Sequence, residues 1–167
     1  MPNTGDRYNL LLQEIQKMLQ GFGIEALLSD EQEIVMLKAR FEGLGRAKGS
    51  ALMEICVPAP AFSGLNGEPL AVLQVYTTLA SNMDEANINP ALTALNSLNA
   101  KCALGSLHLY IPQRQLFHRF NHLLCGEKLE NFRVEALNAV NLVAGIINSI
   151  FDEAITIADD ASRYKNG

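Results

Sequence analysis

The C-terminal part of the chain constrains the fold most, because its pattern predicts one long helix that is rich in apolar residues. Residues 130–161 make a helix of about 30 residues, which is about 45 Å long at 1.5 Å per residue. An apolar stripe repeats there every three or four positions: Ala136, Val140, Val143, Ile147, Ile150, Ala154 and Ile157. Leu142, Phe151 and Ile155 are apolar outside that stripe. We therefore expect the middle of this helix to be covered on more than one side.

The first half of the chain predicts a helix followed by strands. Apolar residues at helical spacing predict a first helix over residues 7–22. The period then changes to that of short segments rich in apolar and β-branched residues, which is typical of strands. These segments are residues 33–41, 50–57 and 70–80.

The two links between those strands are rich in glycine and proline. Residues 42–49 contain three glycines, and residues 58–69 contain three prolines and two glycines. Both links predict loops that are longer than a tight hairpin turn. The glycines of the first link stand near Arg46, but their spacing is not that of a phosphate-binding loop, and the link does not lead into a helix. We expect a flexible hairpin loop there.

The second half repeats the alternation of helix and strand. Helical spacing returns over residues 89–101, and residues 104–111 and 115–124 then alternate as the two arms of a hairpin with a turn at Pro112. Residues 115–124 also fit helical spacing. Their short length and the preceding proline favour the strand.

These elements together predict an α+β fold in the order α-β-β-β-α-β-β-α. It consists of one antiparallel five-stranded sheet with helices packed on it. The length of 167 residues fits a single domain over residues 1–167, with an ordered core over about residues 8–158.

Several segments of this order carry a resemblance to a known fold. They are residues 95–99 (LNSLN), Gly105 with the strand 106–111, the alternating basic strand 116–124, and residues 127–129 (EKL), which lead into the last helix. With them the chain resembles the type III secretion chaperone-like fold and, within it, the YbjN-type family of bacterial sensory-transduction regulators. The resemblance implies one of two roles. The chain would form a dimer that holds an extended client peptide against the sheet edge or helix surface, or it would act as an adaptor that catalyses no known reaction. The link 58–69 is longer than the family pattern.

The charge balance argues against a nucleic-acid partner. Thirteen Lys and Arg against eighteen Asp and Glu give a net charge of −5. A nucleic-acid binder needs a basic footprint, because neutralisation of phosphates supplies most of its non-specific affinity. The densest basic stretch, from Arg40 to Lys48, lacks interleaved aromatic residues.

Cysteine usage and the chain ends predict a cytoplasmic protein of a bacterium. Cys56, Cys102 and Cys125 are odd in number and widely spaced, which suggests neither a disulfide framework nor a zinc site. Residues 1–7 lack the apolar run of a signal peptide. The longest apolar stretch, residues 139–151, is shorter than the ~20 residues of a membrane span.

No arrangement of residues in the sequence indicates catalysis, a cofactor or a metal. His118 and His122 would lie ~13 Å apart on a strand and could not share a metal. Whether His108 approaches either of them depends on the register of the hairpin, which the sequence leaves open. The serines and cysteines lack the motifs of nucleophilic enzymes. We expect a protein that is not an enzyme.

Two functions from different classes remain. The first is a protein-interaction module, chaperone-like or a regulatory adaptor, that binds a polypeptide client and forms a homodimer. Its predicted dimer or partner surface is Val143, Ile147, Ile150 and Ala154 on the last helix. The alternative is a sensor that binds a small ligand between the sheet and the link 58–69. The predicted lining of that pocket is Phe62, Leu65, Tyr76 and Tyr110.

Overall fold

A computed structural model of the chain describes residues 4–31, 34–58, 62–63, 69–124 and 129–160. Its helices are α1 (Thr4–Gly21), α2 (Glu85–Asn99) and α3 (Leu129–Asp160). Its strands are β1 (Glu25–Glu31), β2 (Ile34–Leu44), β3 (Gly49–Cys56), β4 (Phe62–Ser63), β5 (Pro69–Ala80), β6 (Ser106–Tyr110) and β7 (Gln115–Leu124). The strand order is β1-β2-β3-β5-β7-β6, and the two-residue β4 pairs with β5. The predicted α+β class is confirmed.

Besides the two-residue β4, the sheet has six strands, one more than the five predicted. β1 pairs antiparallel with β2 along its whole length, from Glu25 opposite Arg40 to Glu31 opposite Ile34. The segment EALLSDE contains three acidic residues and no β-branched residue, so its composition does not resemble a strand. Pairing with the apolar β2 decides its conformation instead.

The link after β2 is shorter than the predicted loop over residues 42–49. β2 continues to Leu44 and β3 begins at Gly49, so only four residues form the turn. Gly45 and Lys48 have positive φ angles of 63° and 56° there. The link 58–69 lies mostly outside the described residues, apart from Pro58, β4 and the first residue of β5.

The alternative for residues 115–124 is decided in favour of the strand. Leu116, His118, Phe120 and Leu124 are buried along β7, and the residues between them are half-buried or exposed. This alternation has the period of two that a strand requires. The turn before β7 is a short 3-10 helix, Ile111–Gln113, which ends at Arg114 in the left-handed conformation.

The chain divides into two compact units, the first of which comprises Met1–Arg40, Met53–Val75 and Asn121–Leu142. In this unit α1 packs beside β1. The side-chain amides of Gln16 and Gln20 both donate to the backbone oxygen of Ala26, at 3.0 Å each. Arg133 of α3 forms an ion pair with Glu14 of α1 at 3.3 Å. The largest fully buried side chains of the unit are Leu11, Leu12, Ile15, Leu37, Met53, Ile55, Leu73 and Leu124.

The second unit comprises Phe41–Leu52, Tyr76–Phe120 and Val143–Gly167. Here α2 packs beside β6. The carboxylate of Asp84 caps the N terminus of α2 by accepting a hydrogen bond from the backbone of Ala86 at 2.9 Å. Apolar residues of α2, the hairpin β6–β7 and the second part of α3 are buried in this unit: Leu95, Leu98, Leu107, Leu116, Val143, Ile147, Ala154 and Ile157.

Helix α3 is long and strongly apolar. Among the described residues, Arg133–Asp159 is the one segment whose length and composition would allow it to cross a membrane, with a mean hydropathy of 1.5 over its most apolar stretch. Its buried residues recur every three or four positions. A helix packed in a protein core has the same pattern, so hydropathy alone does not identify a span.

Candidate functional site

The candidate site lies on the open face of β5, β6 and β7 in the second unit. The pairing of β6 with β7 places Ser106 opposite Arg119, His108 opposite Phe117 and Tyr110 opposite Gln115. All six side chains are half-buried or exposed, whereas their neighbours along β7, such as Leu116 and His118, are buried. We call the part of this surface that carries rings and charge the aromatic face; it consists of Tyr76, His108, Tyr110, Phe117 and Arg119.

Arg119 and three of the four rings of the aromatic face contact one another in a row. The guanidinium carbon of Arg119 lies 5.5 Å from the centroid of the Tyr76 ring. The Tyr76 and Phe117 centroids are 6.2 Å apart, with the rings tilted by 44°. His108 stacks on Phe117 at 5.4 Å. Exposed aromatic and arginine side chains are the residue types that contribute most of the affinity at protein interfaces.

Hydrogen bonds hold this face in place. The side-chain amide of Gln115 donates to the hydroxyl of Thr78 at 2.9 Å, which connects β7 to β5. The hydroxyl of Ser106 and Nε2 of His108 share a hydrogen bond of 2.7 Å. The ring of His108 is therefore fixed by Ser106 on one side and by Phe117 on the other.

The aromatic face carries positive charge without a counter-charge. Partial burial, and then the neighbouring Arg119, lower the pKa of His108, so its ring is neutral at pH 7. In the described part of the chain, neither Arg119 nor the nearby Arg114 lies in an ion pair. No member of the aromatic face is acidic. A local cation therefore stands on a chain whose net charge is −5.

A groove adjoins the aromatic face at Gln115. It has a volume of about 340 Å³ and is lined by Ser81, Asn82, Pro112, Gln113, Arg114 and Gln115. Asn82 and Arg114 have positive φ angles of 58° and 48°, which are uncommon for residues with a side chain. The backbone N–H of Met83 donates to the backbone oxygen of Arg114 at 3.0 Å and holds the two segments together.

The edge of the sheet beside this face is partly closed. Asn99 of α2 accepts a hydrogen bond from the backbone N–H of Leu107 at 2.6 Å and donates one to its backbone oxygen at 3.0 Å. The amide of Asn99 thus takes the place of a neighbouring strand at this position of β6. Such capping protects an edge strand against pairing with another chain. A partner polypeptide can therefore bind on the open face of the sheet more easily than it can pair with the edge of β6 at Leu107.

The three histidines do not converge. His108 lies on the open face, whereas His118 is fully buried, and its Nε2 donates to the backbone oxygen of Leu104 at 2.9 Å. Burial is the main reason why the pKa of His118 is lowered. Nε2 of His122 lies 3.9 Å from Glu135. Within the described ranges, no group of three or more metal-ligating side chains is present.

The turn after β2 is held by α3 rather than being a free loop. The carboxylate of Asp152 accepts two hydrogen bonds from the backbone N–H of Arg46, at 2.9 and 3.1 Å. The side-chain oxygen of Asn148 accepts one from Gly45 at 3.4 Å. The prediction of a flexible loop is therefore wrong. The N–H group that could have contacted a phosphate already binds a carboxylate.

Two of the three cysteines are described, and both are free thiols. Burial is the first cause of the raised pKa of Cys56, and the nearby Glu54 raises it further. Burial and Glu153 act in the same way on Cys102. Because the thiolate is the nucleophilic form, both side chains are weak nucleophiles at neutral pH.

The predicted partner surface on α3 is wrong. Val143, Ile147, Ile150 and Ala154 are at most 6 % exposed within the single chain. The stripe was correctly identified as apolar, but this chain covers it, so no second subunit is needed for these residues. Among the described side chains of α3, the exposed large apolar residues are instead Val134 and Leu142, at 60 % and 54 %.

The predicted pocket is found only in part. Leu65 and the side chain of Phe62 lie outside the described residues. Tyr76 and Tyr110 do share one face, but on β5 and β6 with β7 between them. Tyr110 is 48 % exposed. These two tyrosines therefore belong to an open surface rather than to an enclosed pocket.

Sequence reasoning missed Phe117, Arg119 and Gln115 as site residues. Their signal was the alternation along residues 115–124, which places them on the face opposite to Leu116. The partners across β6 depended on the turn at Ile111–Gln113, whose geometry the sequence did not reveal.

Comparison with known proteins gives no further assignment. No model of a known protein family matches the chain, and a search of curated proteins finds no match.

Proposed function

We propose that this chain is a non-enzymatic protein-interaction module, chaperone-like or a regulatory adaptor, that binds a polypeptide client in the bacterial cytoplasm. The observation that carries the proposal is the aromatic face. It combines Tyr76 with Phe117 and Arg119, each of which contacts the tyrosine ring, on an open strand surface. Aromatic and arginine side chains of this kind contribute most of the binding energy at protein interfaces.

The sequence resemblance to the type III secretion chaperone-like fold and the YbjN-type family supports the same proposal. The weak nucleophilicity of Cys56 and Cys102, and the occupied N–H of Arg46, argue in the same direction. None of these side chains combines the base, nucleophile and orienting group of a hydrolytic site.

Site-specific photocrosslinking in the native cytoplasm tests the proposal. A photoreactive benzoylphenylalanine at Tyr110, which is exposed on the aromatic face, should yield an adduct with one polypeptide. The same group at Ala47, which is exposed in the turn after β2 and lies apart from the α3 surface considered below, serves as the control. An adduct of equal yield at Ala47, or no adduct at Tyr110, would contradict a client on this face.

A homodimer is part of the proposal, with α3 as one candidate for its interface. Because the predicted interface residues of α3 are buried, the exposed Val134 and Leu142 are the residues of this helix to test as a dimer interface. Leu142→Asp should lower the mass measured by light scattering from twice the chain mass to the chain mass. A wild-type monomer would contradict the dimer, and a variant dimer would place its interface elsewhere. Ile147→Asp is unsuitable for this test, because a buried charge would unfold the chain.

The groove at Asn82 and Arg114 supports a second candidate, a sensor for a small ligand. Its volume of about 340 Å³ is within the range of small-ligand sites. A thermal-shift screen with a metabolite collection separates the candidates, because a ligand that binds the folded state raises the melting temperature. A stabilising metabolite whose effect is lost in Arg114→Ala would favour the sensor.

A further inference from the structure

We propose that the aromatic face binds an extended acidic segment of the partner polypeptide, with a carboxylate on Arg119 and an apolar side chain on Phe117 and Tyr76. This inference rests on the proposed function and specifies the chemistry of the client. It follows from the contacts of Arg119, the charge of the face and the spacing along β7.

Arg119 is suited to receive a carboxylate while it remains over Tyr76. Its guanidinium contacts the ring at 5.5 Å, and no hydrogen bond or ion pair of its side chain is found among the described residues. A guanidinium carries five N–H donors in its plane, and none of those of Arg119 is used by another described residue. A carboxylate can accept two of those donors in parallel.

The charge of the face favours an acidic occupant. Arg119 acts on His108 as an uncompensated positive charge, and the face contributes no carboxylate of its own. The residues 161–167 that follow α3 contain Arg163 and Lys165 and no acidic residue, so they do not complement this surface. An acidic partner would supply the missing counter-charge.

Charge also argues against two other occupants. A second copy in a two-fold contact centred on this face would bring Arg119 towards Arg119, with no carboxylate to separate them. A nucleic acid would need several cations along its phosphates, whereas this face offers one arginine on a chain of net charge −5. An acidic polypeptide meets neither obstacle.

The spacing along β7 favours an extended segment. Phe117 and Arg119 are two residues apart on one face of a strand, which corresponds to ~6.6 Å. Side chains at positions i and i+2 of an extended peptide share a face and have the same spacing. An acidic residue and an apolar residue separated by one position would therefore reach Arg119 and Phe117 together. The groove lies beyond Phe117 along β7, and its lining residue Gln115 is two residues from Phe117, ~6.6 Å along the strand, so the groove could take the continuation of such a segment.

Peptide binding with a charge reversal tests the inference. The probe is a fluorescent peptide in which Asp and Phe alternate, capped at both ends, and its counterpart contains Lys in place of Asp. We expect anisotropy to show binding of the Asp probe, weakened by salt. Arg119→Glu should weaken it about tenfold or more, since a charge-assisted pair is lost, and should increase binding of the Lys probe. Arg46→Glu is the matched control, because Arg46 is exposed and changes the net charge equally.

Each result decides the inference. Equal binding of the Asp probe by wild type and Arg119→Glu, or no binding by wild type, would overturn it. Preference of the wild type for an oligothymidylate probe would also overturn it, in favour of nucleic acid. If the photocrosslinked client at Tyr110 proves to contact the face through a segment without acidic residues, the proposed function survives and this inference fails. Circular dichroism and melting confirm that both variants are folded.

Discussion

The two faces of the β6–β7 hairpin differ in what their histidines do. On the buried face, His118 is fully buried, and its Nε2 donates a hydrogen bond to the backbone oxygen of Leu104. On the open face, His108 stacks on Phe117 beside a charged arginine. The buried histidine, His118, therefore contributes to folding, whereas the exposed one, His108, forms part of a surface that can bind a partner. Substitutions on the buried face should change stability, and substitutions on the open face should change binding.

The largest effect should come from shortening a leucine on the buried face. Leu116→Ala removes a side chain that is fully buried, and we expect it to lower the free energy of unfolding by about 2–5 kcal/mol. Leu123→Ala on the same strand is the control, because that side chain is 44 % exposed and should cost about 1 kcal/mol or less. Urea denaturation measures both. Equal losses would remove the distinction between the faces.

Gly105, the residue before β6, tests how tightly the buried face is packed. Its φ is +73°, and an added Cβ would lie 2.6 Å from the backbone oxygen of Arg119 and from the imidazole of His118. Gly105→Ala should therefore lower stability by more than Gly23→Ala, whose φ of +76° is similar but whose Cβ meets nothing within 4 Å. The control isolates the backbone strain of about 1–2 kcal/mol. Identical melting temperatures of the two variants would show that the contact with His118 is not tight.

The pH dependence of stability should come mainly from the buried histidine. The pKa of His118 is lower in the folded chain, so the unfolded chain, with a histidine pKa of about 6.5, binds the proton more readily. The free energy of unfolding should therefore fall as pH falls through about 6.5, by at most about 1.4 kcal/mol per pH unit for this proton. His118→Gln can keep the donor to Leu104 and should flatten the slope between pH 7.5 and 5.5.

His108→Gln is the comparison for that slope. The pKa of His108 is also lowered, but its ring is exposed on the open face, so its contribution should be smaller. If His108→Gln reduced the pH dependence of the free energy of unfolding more than His118→Gln does, the exposed histidine rather than the buried one would account for that dependence.

The smallest effect on folding should come from Arg119. Its contact with Tyr76 is exposed, and a cation–π contact of this kind contributes about 0.5–1 kcal/mol. Arg119→Ala should therefore melt close to the wild type while it loses the binding described above. Arg46→Ala is the control with equal charge, because Arg46 is exposed in the turn after β2 and lies outside the aromatic face and its groove. A large loss of stability in Arg119→Ala would make this arginine a structural residue.

The sequence predicts those parts of the fold that periodicity determines. The alternation in β7 and the apolar stripe of α3 are local patterns, and both are found. β1 was missed because its acidic residues resemble a link, and only pairing with β2 makes it a strand. The stripe at Val143 and Ile147 could not indicate whether the same chain or a second one covers it, since both would require the same residues.

The candidate site was predicted least well, because it depends on register. Tyr76 and Tyr110 were predicted to line a pocket between the sheet and the link 58–69, and the structure places them instead on one open face. Arg119 and Phe117 join them only through the pairing that the turn before β7 sets. The alternation along one strand shows which residues share a face, but it does not show which residues of the neighbouring strand lie opposite them.

The central claim is that the aromatic face holds a polypeptide, and variant-dependent copurification tests it most directly. Tagged wild-type chain, Arg119→Glu and Arg46→Glu are purified from the native cytoplasm, and the mass of each eluted complex is measured. The account predicts one polypeptide in near-stoichiometric amount with the wild type and with Arg46→Glu, and its loss from folded Arg119→Glu. The same polypeptide retained on Arg119→Glu, or lost equally from both variants, would contradict it.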